Sequence, residues 1–137
     1  MRHLKFLLPI FAAFFLLTGC ASAGKGNKLQ EAQYAWSAAI RWGDFEGAWN
    51  LVDPEYRKAH PMAQADFDRY KQVQIAGYRD LAARADESTA MREIQISVID
   101  GSNMSQYDIR YTERWRYDSK ENAWWILDGL PQVVKAP

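Results

Sequence analysis

Tyr107, Ile109, Tyr111, Glu113, Trp115 and Tyr117 fall at every second position, and Glu113 is the one carboxylate in that run of rings and aliphatics. A charge on the apolar face of a strand requires a partner or a function. If a four-residue turn joins the last two strands, Asp128 lies opposite Glu113. A hairpin upstream then sets Arg92 one position away, diagonally, on the same face. Two carboxylates side by side in a poorly solvated pocket do not both ionise readily, so one pKa rises and a general acid or base results. Arg92 would stabilise negative charge developing beside them. Glu113, Asp128 and Arg92 are therefore the candidate catalytic residues. The competing account makes Glu113 and Arg92 an ion pair at the rim of the domain and assigns Asp128 to the turn Asp128-Gly129. A three- or five-residue loop would instead turn Trp125 and Leu127 inward.

Other chemistry is sparse. The chain has no Gly-x-Ser-x-Gly, no phosphate-cradling glycine loop and no His-Glu-x-x-His pair. His60 is the one histidine beyond the leader, so zinc would have only carboxylates to add to it, and no metal site or cofactor is expected. His60 precedes Pro61 and reads as a loop residue. The single Cys excludes an intrachain disulfide framework. With 17 Lys+Arg against 17 Asp+Glu, the zero net charge excludes a nucleic-acid module resting on basic excess, and 14% aromatic residues exclude a disordered tail.

That single Cys has a specific setting. Arg2 and Lys5 precede an apolar stretch from Phe6 to Leu17, which ends at Leu17-Thr18-Gly19-Cys20. At about 1.5 Å per residue the stretch is too short for a hydrocarbon core of about 30 Å, so it reads as an export signal. The last four residues resemble the bacterial lipobox. The resemblance implies cleavage between Gly19 and Cys20 and acylation of Cys20, whose chains would add about 0.8 kcal/mol of membrane affinity per buried methylene. Ala21 stands where an Asp would signal retention at the inner membrane in enteric bacteria, so the outer membrane is expected, with the domain facing the periplasm. The expected organisation is a signal peptide over 1–19, lipidated Cys20 with a flexible Gly-rich tether to residue 27, and one domain over 28–137.

The elements that must position Glu113 are legible from periodicity. Leu29, Ala32, Trp36, Ala39 and Ile40 mark one face of a first helix that Gly43 ends. Asp44 caps a second, with Phe45, Ala48, Trp49 and Val52 on its inner side, and Asp53-Pro54 stops it and starts a further turn. A third helical stretch runs from about Ala63 to Val73. The period then changes to two. Ile94, Ile96 and Val98 alternate with polar residues, as does the Glu113 run, and a weaker strand lies around Tyr78 to Ala85. Gly101-Ser102 suits a two-residue type II′ hairpin, which would place Ile96 opposite Tyr107, Ile94 opposite Ile109, Arg92 opposite Tyr111 and Glu93 opposite Arg110. Asp118 to Asn122 makes the next turn. In the strand from Ala123 to Asp128, Trp124 and Trp125 point to opposite faces, and whichever points outward is a candidate partner contact.

Helices followed by an antiparallel meander with one apolar face give an α+β fold, N-terminal helices packed on a curved antiparallel sheet. The segment Ala39-Ile40-Arg41-Trp42-Gly43-Asp44-Phe45-Glu46-Gly47-Ala48-Trp49 and the late Trp124-Trp125-Ile126-Leu127 resemble the nuclear-transport-factor-2-like (NTF2-like) superfamily. That resemblance implies a cone over the whole domain and, because enolising and dehydrating members use acidic residues in the cavity, a small lyase or isomerase as one alternative. The preferred expectation is a non-enzymatic, lipid-anchored domain that binds an envelope protein or a small apolar ligand. A structural subunit of an envelope assembly is the third. Arg110, Arg114 and Arg116 line the outer sheet face, with Asp108 and Glu93 expected to meet their charges. So polar a face argues against sheet-to-sheet dimers and for a monomer.

Overall fold

The computed structural model describes residues 20–135; the export signal expected over residues 1–19, Gly19 included, lies outside the described residues. The chain forms α1 (Cys20–Arg41), α2 (Phe45–Trp49), α3 (Pro54–Ala59), α4 (Gln64–Tyr70), β1 (Val73–Ala85), β2 (Thr89–Asp100), β3 (Gln106–Asp118) and β4 (Ala123–Ile126). Among the described residues no helix is long and apolar enough to cross a membrane.

The helices follow their caps. At the end of α1, Gly43 adopts φ +73°, and the amides of Gly43 and Asp44 bond back to Ile40 (3.1 Å) and Ala39 (2.8 Å), closing the last turn as glycine-terminated helices do. Asp44 then accepts from the Gly47 amide at 2.8 Å to start α2. Asp53 accepts from the Glu55 amide at 2.9 Å to start α3, with Pro54 in the first turn. α1 includes residues 20–27, so the stretch expected to be a loose tether is helical. Gly24 and Gly26 weaken a helix intrinsically, but tertiary contacts hold this one. Trp124 Nε1 donates to the Lys25 carbonyl (3.1 Å), Lys28 Nζ donates to the Asn122 carbonyl (3.2 Å), and the Lys25 ammonium lies 4.7 Å above the Tyr117 ring.

The sheet is antiparallel in the order β1-β2-β3-β4. β1 spans 13 residues, more than the Tyr78–Ala85 segment anticipated, and register shifts at Ile75/Gly77 and Asp80/Ala82 mark bulges that bend it. The β2–β3 register differs from the expected one by two. Ile96 pairs with Ile109, Ile94 with Tyr111, Arg92 with Glu113 and Glu93 with Thr112. The cause is the turn. Asp100 Oδ1 accepts from the Ser102 amide (2.9 Å) and hydroxyl (2.6 Å), Met104 takes φ +58°, and the strands resume only where the Asp100 amide meets the Ser105 carbonyl (2.9 Å). The loop is thus longer than Gly101-Ser102. A shift of two leaves every side chain on its expected face.

α1 crosses the inner sheet face. Trp36 and Ile40 are wholly buried, and Trp36 packs edge-on to Trp115 (6.2 Å between centroids) and parallel to Tyr111 (6.3 Å). Ile94, Ile96, Val98 and Ile126 complete this layer without exposure. Truncating Trp36 to Ala would forfeit about 3–5 kcal/mol. β4 is flanked by the segment entering α3, since Val52 bridges Ile126 and the Asp53 amide bonds its carbonyl at 2.7 Å. After β4, Gly129 turns the chain at φ +79°. Residues 130–133 then run along the inner side of β3 without joining the sheet, and Leu130, Pro131 and Val133 are buried.

Candidate functional site

Register brings Glu113 and Arg92 directly opposite each other on β3 and β2, both aimed towards the helices. Glu113 is completely buried and Arg92 is 8% exposed, so the pair lies in the interior and not at a solvated rim. The pairing is bidentate, Nε to Oε2 at 2.6 Å and Nη2 to Oε1 at 2.8 Å. Trp115 Nε1 also donates to Oε2 at 3.0 Å, and the Tyr78 hydroxyl donates to Oε1. Two carboxylate oxygens offer about four acceptor positions, and four donors occupy them. Arg92 reaches further, to Asp80 Oδ2 (3.3 Å) and the Gln33 carbonyl (3.5 Å). One charged cluster therefore ties α1, β1, β2 and β3 together.

The surroundings fix the protonation states. Burial, followed by the charge of Glu113 and the hydrogen bond to it, pushes the Tyr78 phenol far above its ordinary range. Burial and then the same carboxylate raise Tyr111 as well. For Arg92 burial opposes the charge, but the bond and attraction to Glu113 outweigh it, and the guanidinium holds its proton more firmly than usual. Two clefts among the described residues lie away from this pair. One of about 530 Å³ is bounded by Lys25, Leu29, Ala85, Glu87 and Trp124, and one of about 420 Å³ by Arg84, Met91, Arg114, Trp115 and Leu127. Neither includes Glu113 or Arg92. A general base needs a lone pair facing its substrate, and the lone pairs of Glu113 face Arg92, Tyr78 and Trp115.

Asp128 does not join them. The β3–β4 turn does hold four residues, and Trp115 pairs with Ile126 as that turn requires. β4 ends at Ile126, however, and beyond it the Asp128 carboxylate meets the guanidinium of Arg114 on the outer face, Nε to Oδ2 at 2.6 Å with Nη2 on the other oxygen. Arg116, next along that face, donates to Asp53 and lies 3.8 Å from Asp118. Asp128 and Asp53 thus meet the outer arginines, where Asp108 and Glu93 were expected. Asp108 accepts from Gln95 and Ser97, and Glu93 accepts from Thr112. The Arg116 hydrogen bond holds the Asp53 carboxyl below its ordinary range against the opposing effect of burial.

Trp124 is the inward member of its pair, 4% exposed beneath α1. Trp125 takes the outer face, half-buried, and its Nε1 is shielded without a hydrogen-bond partner among the described residues. His60 caps α3, its Nδ1 3.1 Å from the Tyr56 carbonyl and its ring stacked on Tyr56 at 4.1 Å. Sequence reasoning missed the Tyr78 hydroxyl, the Trp115 indole and the Asp53–Arg116 pair. The first two had a signal, since a buried phenol or indole needs an acceptor and Glu113 is the acceptor on that face. The third had none, because Asp53 and Arg116 are far apart in the chain.

No protein-family model matches the chain, and no curated protein matches it. Solved structures do. A SEC-C motif-containing protein from Rhodopseudomonas palustris superposes with a TM-score of 0.58 at 15% identity, covering 80% of this chain and 89% of its own. Another, from Psychrobacter arcticus, gives 0.53 at 14% identity over 81% of this chain and 63% of its own. A proposed dehydratase of the NTF2-like family from Streptomyces avermitilis gives 0.48 at 14% identity over 77% and 93%. Likeness at such identities concerns the fold alone. The chain is an α+β domain with its helices ahead of a curved, four-stranded antiparallel sheet.

Proposed function

We propose that this chain is an exported lipoprotein, cleaved before Cys20, acylated there, and held at the outer membrane facing the periplasm. Its domain is a non-enzymatic, monomeric binding module for an envelope protein or a small apolar ligand. The observation that carries the non-enzymatic reading is the saturation of Glu113, because four donors leave the buried carboxylate no lone pair for a substrate. The anchor is supported by Leu17-Thr18-Gly19-Cys20 behind a short apolar stretch and by the absence of any other Cys. Support for an apolar ligand comes from the cleft of about 530 Å³, where Leu29, Ala85 and Trp124 supply apolar surface beside Lys25, Asp86 and Glu87.

The test is fractionation of cells carrying Cys20→Ala, together with mass analysis of the native N-terminus. The variant is expected to leave the outer membrane, either released or unprocessed at the inner membrane, and the native protein to carry acyl mass. Unchanged outer-membrane fractionation with no acyl mass would overturn the reading.

A further inference from the structure

The segment after Gly129 is held in an unusual way. It makes no ladder with β3. Instead three tyrosine hydroxyls bind alternate carbonyls along it: Tyr111 to Gly129 (3.0 Å), Tyr70 to Pro131 (3.5 Å) and Tyr107 to Val133 (2.6 Å). Two of these tyrosines stand on the inner face of β3 and the third on α4, so the segment lies in a channel between sheet and helix. Leu130, Pro131 and Val133 are buried in it while Gln132 faces out. These contacts are read by side chains and by pockets, and the hydrogen bonds among β1, β2, β3 and β4 do not depend on them. Extended peptides are recognised elsewhere through the same combination, carbonyls met by fixed donors and alternate side chains in apolar pockets.

We propose that this channel is a recognition groove for a peptide of a partner protein with an apolar–Pro–x–apolar pattern, turned at x as this segment is where the Val133 amide bonds the Pro131 carbonyl (2.9 Å), and that residues 129–133 occupy it in cis. The chain's own tail shows the occupant's chemistry. Gly129 sets how the segment enters the channel: it takes φ +79°, and a Cβ there would stand 2.7 Å from the Tyr56 ring. A partner peptide displaces the tail and meets the same three hydroxyls. Its apparent affinity is therefore reduced by the small fraction of molecules whose tail is out. This deepens the binding-module reading, and it is independent of the lipid, so the fractionation of Cys20→Ala and the experiment below fail separately.

The experiment uses purified full-length protein and a fluorescent peptide, Asp-Gly-Leu-Pro-Gln-Val-Val-Lys, copied from residues 128–135. Val133→Asp ejects the tail and leaves Tyr70, Tyr107 and Tyr111 intact. By anisotropy the peptide is expected to bind V133D at least about tenfold more tightly than the wild type, and a peptide with Asp in place of the same Val is expected not to bind. A V133D protein with native near-UV circular dichroism that ignores the peptide, or binds both peptides alike, overturns the proposal. Should V133D not fold, native-state hydrogen exchange on the wild type decides. The amide of Val133, bonded within the segment to the Pro131 carbonyl (2.9 Å), is expected to exchange through a local opening with much weaker denaturant dependence than those of Ile94 and Ile96. Exchange of both sets only through global unfolding overturns the groove.

Discussion

Glu113 and Arg114 are consecutive on β3, and each is half of a bidentate ion pair, yet the two pairs live in different solvents. Glu113 is fully buried against Arg92, whereas the side chains of Arg114 and Asp128 are 55% and 36% exposed. On the inner face, removing a carboxylate and a guanidinium from water costs several kcal/mol per ion, and only mutual attraction plus added donors offsets it. Tyr78 and Trp115 supply those donors. On the outer face water already solvates both charges, so the bond gains little and no further donors are recruited. Two pairs alike in geometry therefore differ in consequence, because one holds four elements in register and the other decorates a surface.

The strongest way to break this comparison is Glu113→Gln, which leaves the Arg92 charge buried without its counter-ion. Chemical denaturation is expected to show a loss of about 3–5 kcal/mol, and a loss as small as the one expected for Arg114→Ala would erase the distinction. Tyr78→Phe removes one charge-assisted donor and keeps the bidentate pair. A loss of about 1.5–3 kcal/mol is expected, with the fold retained; no shift in the denaturation midpoint would mean that Arg92 alone satisfies the carboxylate. Asp53 and Arg116 stand between the two extremes. Because the folded-state pKa of Asp53 is depressed, its contribution is in place above the ordinary value of 3.8 and is lost as pH falls through the lower folded value. The wild type is thus expected to exceed Asp53→Asn by on the order of 1 kcal/mol at neutral pH, and the difference in Tm should shrink below pH 3.8. An advantage that persists unchanged in acid would assign it to something other than this charge. The smallest effect is expected of Arg114→Ala, no more than about 1 kcal/mol. It should vanish in about 1 M salt, where screening acts over about 3 Å.

Much of the inner cluster was legible because alternation fixes faces independently of register. Glu113 and Arg92 were placed on one side by period alone, and the two-residue error in their pairing did not separate them. That error came from Asp100 and Met104. A short polar side chain and one left-handed residue lengthened a turn that Gly101-Ser102 seemed able to make alone. Asp128 was misplaced for the opposite reason. Its register was right, but β4 stops at Ile126, and Gly129 lets the chain leave the sheet before the carboxylate can turn inward. The helical start of α1 was hidden because Gly24 and Gly26 speak against a helix locally, while the contacts that hold it come from Trp124, Tyr117 and Asn122, about a hundred residues away. The tail over 129–133 has no period at all. Its signal lay in the tyrosines, since inward hydroxyls at 107 and 111 must each find an acceptor.

The unbroken course of α1 has a mechanical consequence. Its 22 residues form a strut about 33 Å long, clamped to the sheet near its start by Lys25 and Lys28 and near its end by Trp36 and Ile40. A force or torque applied to the helix between Lys25 and Ile40 is delivered to the sheet with little slack, so helix and sheet turn as one body.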